Sequence, residues 1–254
     1  MEQYLAWKAL ITANADVTAW QRFYVYFYQA FIEKDRWQQY LSGVGSTLAV
    51  TALALLIGVF LGVIVAIVCT AHDQQRPGHR NFVLGVLNAL FRVYVTVIRG
   101  TPMMVQMLIM GFVIFSSSKN FAMVGALTLG INSGAYTSEI IRGGLMAVDR
   151  GQMEAGRSLG LNYSDTMIFI IIPQAVKAIL PSLGNEFIVL LKDTSLISVI
   201  GGKELVYAAR GIISRTYEAM FPFFGTAVIY LVLVMAFTWL LGIFERRLRA
   251  SDLR

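Results

Sequence analysis

Long uncharged runs dominate the chain. Ser42 to Ala71 holds no charged residue, and Gly100 to Ser118, Asn120 to Ser138 and Ala219 to Phe244 are three more such runs. A hydrocarbon core about 30 Å thick is crossed by roughly 20 apolar residues in a helix. Each run is therefore read as a span. Ile168 to Gly202 is apolar in bulk but is interrupted by Pro173, Lys177, Pro181, Glu186, Lys192 and Asp193. One further span is read here, beginning near Pro181, which gives five.

Two stretches mix rings with charges. In residues 1–41, Trp20, Phe23, Tyr24, Phe27, Tyr28, Phe31, Trp37 and Tyr40 alternate with Glu33, Lys34, Asp35 and Arg36. Such rings suit the headgroup layer, so an interfacial amphipathic segment is expected, with a folded extracellular cap as the alternative. The stretch has no basic start and no apolar core of signal-peptide length. In 81–99, Phe82, Leu87, Leu90, Phe91 and Tyr94 accompany Arg92 and Arg99. An interfacial elbow is expected, turning into the next span at Pro102; an extra span is the alternative. In the first run Thr47, Thr51, Ala54, Gly58, Gly62 and Ala66 form a stripe of small residues, which lets helices approach closely in lipid.

Composition narrows the class. Hydrophobic residues make up 57% of the 254, and charged residues 14%. Soluble domains carry about 25% charged residues, and disorder needs low hydrophobicity with high charge. A polytopic all-α membrane protein remains. The net charge of +6 reads as basic cytoplasmic loops rather than nucleic-acid binding. With five spans, twelve Lys and Arg fall on the side of the 72–99, 139–180 and C-terminal segments, against eight opposite. That bias expects the N-terminus outside and the C-terminus in the cytoplasm. The lone Cys69 lies in an apolar run and reads as a buried thiol.

Standard catalytic sets are missing from the sequence. His72 and His79 share one short polar loop without metal-ligand spacing. Gly201-Gly202-Lys203 lacks the other residues of a phosphate-binding loop. Two features carry more. Lys192 and Asp193, within Leu190-Leu191-Lys192-Asp193-Thr194-Ser195-Leu196, lie in membrane-deep sequence, where ionisable groups cost roughly 2.5–3.5 kcal/mol each. Either they line a polar pathway that reads a zwitterion, or they only fix packing, as Asp193 with Arg142 or Lys192 with Glu139. Asn132, Ser133 and Tyr136 are polar groups that would face the same cavity. The second feature is Asp149 to Leu161, a charged stretch broken by glycines, where a short helix over 152–159 is expected to stop at Gly160.

That second stretch resembles a known motif. Glu154-Ala155-Gly156, three residues, Gly160, nine residues, Ile170, one residue, then Ile172-Pro173 is similar to the EAA loop of ABC-importer membrane subunits. Gly156 stands for the second alanine and Ile172 for leucine; Gly156 would loosen the helix. Arg99-Gly100-Thr101-Pro102, Asn132-Ser133-Gly134-Ala135-Tyr136, Glu139 with Arg142-Gly143-Gly144, Leu180-Pro181, Gly184-Asn185-Glu186 and the 191–196 stretch resemble the polar amino-acid branch (histidine, glutamate, glutamine, arginine, opine) of these permeases.

The resemblance implies a membrane subunit of an ATP-driven amino-acid importer in the cytoplasmic membrane, not itself an enzyme. ATP and Mg would sit on two separate ATPase subunits, with no cofactor or metal on this chain. A second permease chain and an extracytoplasmic binding protein would complete the complex. Glu154, Ala155, Gly156 and Gly160 would form the coupling helix and turn seated on the ATPase. Lys192, Asp193 and Asn132, with Glu139, are the pathway candidates. The expected division is an extension at 1–41, a transmembrane permease domain at 42–248 with its coupling loop at about 146–172, and a cytoplasmic tail at 249–254. The rival reading is an ion-gradient-driven carrier with Asp193 or Glu139 titrating. Such carriers are usually built from internal repeats, and none is visible. An intramembrane enzyme would need a nucleophile–base pair that the sequence does not supply.

Overall fold

The computed structural model describes residues 2–75 and 81–252. His79, named above, lies outside them, as do Arg76, Arg80 and Arg254 of the basic residues counted above. All regular elements among the described residues are helical. A hairpin of α1 (Glu2–Thr12) and α2 (Ala19–Phe31) leads into the long α3 (Trp37–Asp73). Next come α4 (Phe82–Gly100), α5 (Met103–Ile109, continued by a wide turn at Met110–Ile114) and α6 (Phe121–Met146). The short α7 (Arg150–Ser158) and α8 (Tyr163–Thr166) precede α9 (Ile172–Asp193), and α10 (Leu205–Thr216) precedes α11 (Met220–Asp252).

Among the described residues, four stretches are long and apolar enough to cross a membrane: 33–73, 82–100, 163–200 and 220–248. The sixth helix is 26 residues long and falls outside that set, because its polar and small residues dilute its apolar content. Burial explains how it lies at the centre of the bundle: Thr128, Ser133, Thr137 and Ser138 are all enclosed. By contrast the apolar side chains of α4 and α11 point outward almost throughout. A helix face of Leu, Val and Phe left unpacked suits hydrocarbon surroundings.

The second span is displaced from its expected place. The helix of spanning length is 82–100, not 100–118; the expected elbow is itself a 19-residue helix. Thr101 precedes Pro102 and is extended (φ −117°, ψ 144°), because a following proline disfavours helical backbone. The chain breaks there, and 103–114 is too short to cross. Gln106 stitches the break: its Nε2 donates to the Ile98 and Thr101 carbonyls at 2.7 and 3.2 Å and to Thr101 Oγ1 at 2.8 Å. The Ile98 carbonyl belongs to the unpaired last turn of α4, and Thr101 is the cap that follows it.

The small-residue stripe of α3 is buried from Thr47 to Ala66 as expected. A β-carbon at Gly58 would lie 2.7 Å from Ser133 Oγ, and one at Gly62 2.6 Å from Thr137 Cγ2. The two backbones therefore touch where the stripe meets α6. Val50, Ala54, Met107, Leu129, Leu190 and Ile197 complete the core, and Cys69 is buried farther along α3. Pro173 stands in the first turn of α9, and a wide π turn at Met167–Ile171 precedes it. Proline removes one helical N–H and pushes on the carbonyl four residues back; the wider turn accommodates both.

The α9–α11 end is closed by a buried carboxylate. Glu204 caps α10, accepting from Val206 N at 2.7 Å and Tyr207 N at 2.6 Å, and Tyr230 OH donates to it at 3.0 Å. Thr47 Oγ1 of α3 accepts from Leu205 N. Burial pushes the Glu204 carboxyl above the ordinary carboxylate range, against the pull of those donors.

Candidate functional site

The first candidate surface is α7. Asp149 caps it by accepting from Gly151 N, and the helix runs from Arg150 to Ser158, two residues earlier than expected at its start. Gly160 takes the left-handed conformation (φ 86°), which stops the helix and turns the chain toward α8. Glu154 and Ala155 face outward, and Leu159 is 82% exposed.

Gly156, expected to loosen the helix, is buried. A β-carbon there would lie 2.6 Å from Thr166 Cγ2 and 3.1 Å from Ile170 Cδ1. The glycine lets α7 seat directly on α8 and the π turn, so the outward face is held on a packed base.

The second candidate is a cavity of about 370 Å³ between α3, α4 and α6, lined by Cys69, Arg92, Thr96, Arg99, Glu139 and Arg142 among others. Its charges form one chain. Arg92 Nη2 donates to Asp73 Oδ1 at 2.8 Å, and the other Asp73 oxygen is 3.4 Å from Arg142 Nη2. Arg142 Nη1 lies 3.9 Å from Glu139 Oε1, and Arg99 Nη1 lies 3.5 Å from Glu139 Oε2. Arg99 also stands over the Tyr136 ring at 5.2 Å. A tight charge-assisted bond is about 2.7–2.9 Å. Only Arg92–Asp73 meets that. Arg99, Arg142 and Glu139 are loosely paired and half-exposed.

The structure brings Asn132 and Glu139 onto one helix but to different neighbours. Asn132 Nδ2 donates to Gln106 Oε1 at 3.0 Å. Ser133 Oγ donates to Glu186 Oε1 at 2.7 Å, joining α6 to α9. Lys192 and Asp193 end α9 and do not line the arginine cavity. Lys192 is exposed and Asp193 half-buried. The packing pairs offered as an alternative do not form: Arg142 pairs with Asp73 and Glu139, and Glu139 with Arg99 and Arg142. Asp193 shares a face of α9 with Glu186, seven residues earlier.

Sequence reasoning missed Arg99 and Arg142 as partners of Glu139, and Arg92 and Arg142 as partners of Asp73. It placed Arg92 and Arg99 in a loop-side tally of charge. The available signal was their recurrence at i, i+7 in an apolar stretch, which sets both on one helix face.

A bundle of this kind, with membrane-length apolar helices around a charged cavity, belongs to the class of multi-pass membrane permeases. Residues 78–250 match the family described as the inner membrane component of binding-protein-dependent transport systems. The chain belongs to that family, and it is an ABC-importer permease subunit. It is 35% identical over 211 residues to the putative glutamine transport system permease protein GlnP of Rickettsia felis, covering 82% of this chain and 92% of that one. It is 32% identical over 213 residues to the glutamine transport system permease protein GlnP of Escherichia coli K12, at the same two coverages. Among solved structures, an amino acid ABC transporter with histidines aligns with a TM-score of 0.74 at 42% identity, covering 83% of this chain and 94% of that one. The inward-facing methionine transporter MetNI, at 18% identity and a TM-score of 0.69, covers 83% and 96% and shares the fold.

Proposed function

We propose that the chain carries a polar amino acid across the cytoplasmic membrane by alternating access, driven by ATPase subunits that dock on α7. The observation that carries the coupling role is the outward face of Glu154, Ala155 and Leu159 on a helix seated through Gly156 and ended by Gly160. The family and the relatives' substrates support the amino-acid reading. ATP and Mg belong to the ATPase chains. A second permease chain and an extracytoplasmic binding protein complete the proposed complex. The basic loop and tail favour a cytoplasmic C-terminus and an outside N-terminus.

In the proposed pathway Arg99 and Arg142 take the substrate carboxylate, since a guanidinium presents paired donors to it. Glu139 takes the ammonium. Arg92 and Asp73, already tightly paired, hold the cavity's shape. Asn132, Glu186, Lys192 and Asp193 line the polar continuation along α6 and α9. Uptake of labelled amino acid into vesicles holding the whole complex tests this. Glu139→Gln should raise KM roughly tenfold or more, as loss of one charge-assisted contact of about 1.5–3 kcal/mol requires. Unchanged uptake and substrate preference in both Glu139→Gln and Arg99→Lys would remove the cavity from the pathway. Uptake that follows an ion gradient with no ATPase present would instead favour the secondary carrier.

A further inference from the structure

The matched family region begins at residue 78, so the α1–α2 hairpin lies outside it. The hairpin is a built unit. Tyr4 and Tyr28 rings lie 4.3 Å apart, Trp7 meets Tyr24 edge-on at 5.5 Å, and Lys8 Nζ bonds Glu33 Oε1 at 2.7 Å. Thr18 and Gln21 cap α2 reciprocally, a capping box that fixes where the helix starts. Arg36 is buried, bonded to the Gln29 carbonyl and paired with Glu33.

These contacts use one side of α2. The other side carries a ridge of stacked rings. Trp20 and Phe23 are nearly parallel at 5.7 Å, and Phe23 and Phe27 at 6.2 Å. They are 65%, 47% and 41% exposed. The ridge does not stand alone: Phe23 meets Phe221 of α11 edge-on at 5.1 Å. Phe31 fills the space beside Gly225, where a β-carbon would lie 2.4 Å from its ring. Phe223, Phe224, Trp37 and Leu41 are exposed on the first turns of α11 and α3. One aromatic band thus runs from α2 onto the starts of the two most apolar helices.

We propose that α2 lies in the headgroup–acyl boundary of the bilayer, with Trp20, Phe23 and Phe27 inserted. Lipid is the occupant because the ridge continues the unpacked apolar surface of α3 and α11, and aromatic rings favour that boundary. Headgroup charge is not the attraction. Lys8, Arg22, Lys34 and Arg36 are balanced by Glu2, Asp16, Glu33 and Asp35 within residues 1–41.

The test uses the full chain with its ATPase subunits in vesicles. Single cysteines replace Trp20, Phe23, Phe27 or Arg22 in a Cys69→Ala background and carry a spin label. Labels at 20, 23 and 27 are expected to collide with oxygen in preference to a water-soluble nickel chelate. The label at 22, on the opposite side of the helix, is expected to prefer the chelate. The pattern should be the same in vesicles of neutral phosphatidylcholine and in those containing phosphatidylglycerol. Ridge labels as open to the chelate as that at 22 would overturn the proposal. So would labels shielded from both agents, the mark of a covering protein. A readout on native side chains guards against misfolded variants: brominated-chain lipid should quench less tryptophan emission in Trp20→Phe than in the unsubstituted chain, and equal quenching would overturn the insertion.

Discussion

Single residues decide how tightly the working parts are seated. Gly156 is the clearest. Thr166 and Ile170 occupy the space any side chain there would need, so Gly156→Leu should lift α7 from its base. We expect at least a tenfold loss of ATP-coupled uptake with membrane insertion unchanged, measured by transport and by the amount of chain in membranes. Glu204 acts differently, through buried hydrogen bonds. Glu204→Ala leaves two backbone N–H groups and Tyr230 OH without their acceptor. That should cost about 1–3 kcal/mol, read as a lower unfolding temperature in detergent. Glu204→Gln, which keeps a carbonyl acceptor, should lose less. The carboxyl's raised folded pKa sets the sign with pH. Its contribution is full below the unfolded value of about 4.3 and is lost as pH rises through the folded value. The Gln variant should lack that slope.

At the scale of elements, proline and glycine shape the helices. Pro102 ends α4 through the extended Thr101, while Pro173 is absorbed by a π turn and leaves the path from α8 to α9 unbroken. The difference lies in the repair. At Pro102 a glutamine side chain satisfies the exposed carbonyls; at Pro173 the backbone widens. The α3–α6 contact depends on Gly58 and Gly62 meeting Ser133 and Thr137. Gly62→Leu should force the helices apart, and overpacking of this kind costs about 1–3 kcal/mol or more. A fall in detergent unfolding temperature, with Gly45→Leu on an open face as control, measures it. The small-residue stripe was legible because its spacing alone marks one helix face. The α4 boundary was misplaced because a count of uncharged residues treats Arg92 and Arg99 as breaks. Long arginine stems can lie along apolar surface with their heads in a cavity.

For the whole molecule, the charged cavity joins three helices distant in sequence. Asp73 ends α3, Arg92 and Arg99 belong to α4, and Glu139 and Arg142 belong to α6. Any motion of α4 against α3 and α6 must rearrange these pairs. Arg99→Lys keeps the charge but loses the paired donors. A rise in KM of about fivefold to tenfold with little change in maximal ATP-coupled rate is the expected result in vesicles. Leu159→Asp places charge on the outward face of α7. It should uncouple ATPase turnover from uptake while substrate binding is retained, measured by both rates in one preparation.

The sequence by itself determined the class of the chain, the exposed short helix with its glycine stop, and the buried face of α3. Each follows from local rules: uncharged length, helical spacing and the one residue that takes a left-handed turn freely. Only the tertiary structure decided which charges meet. Glu139 was legible as a polar residue in a span, but it pairs with Arg99 of α4 as well as Arg142 of α6, and pairing across helices leaves no local pattern. For the same reason Lys192 and Asp193, adjacent in sequence and costly at membrane depth, stand apart from the cavity where the arginines gather.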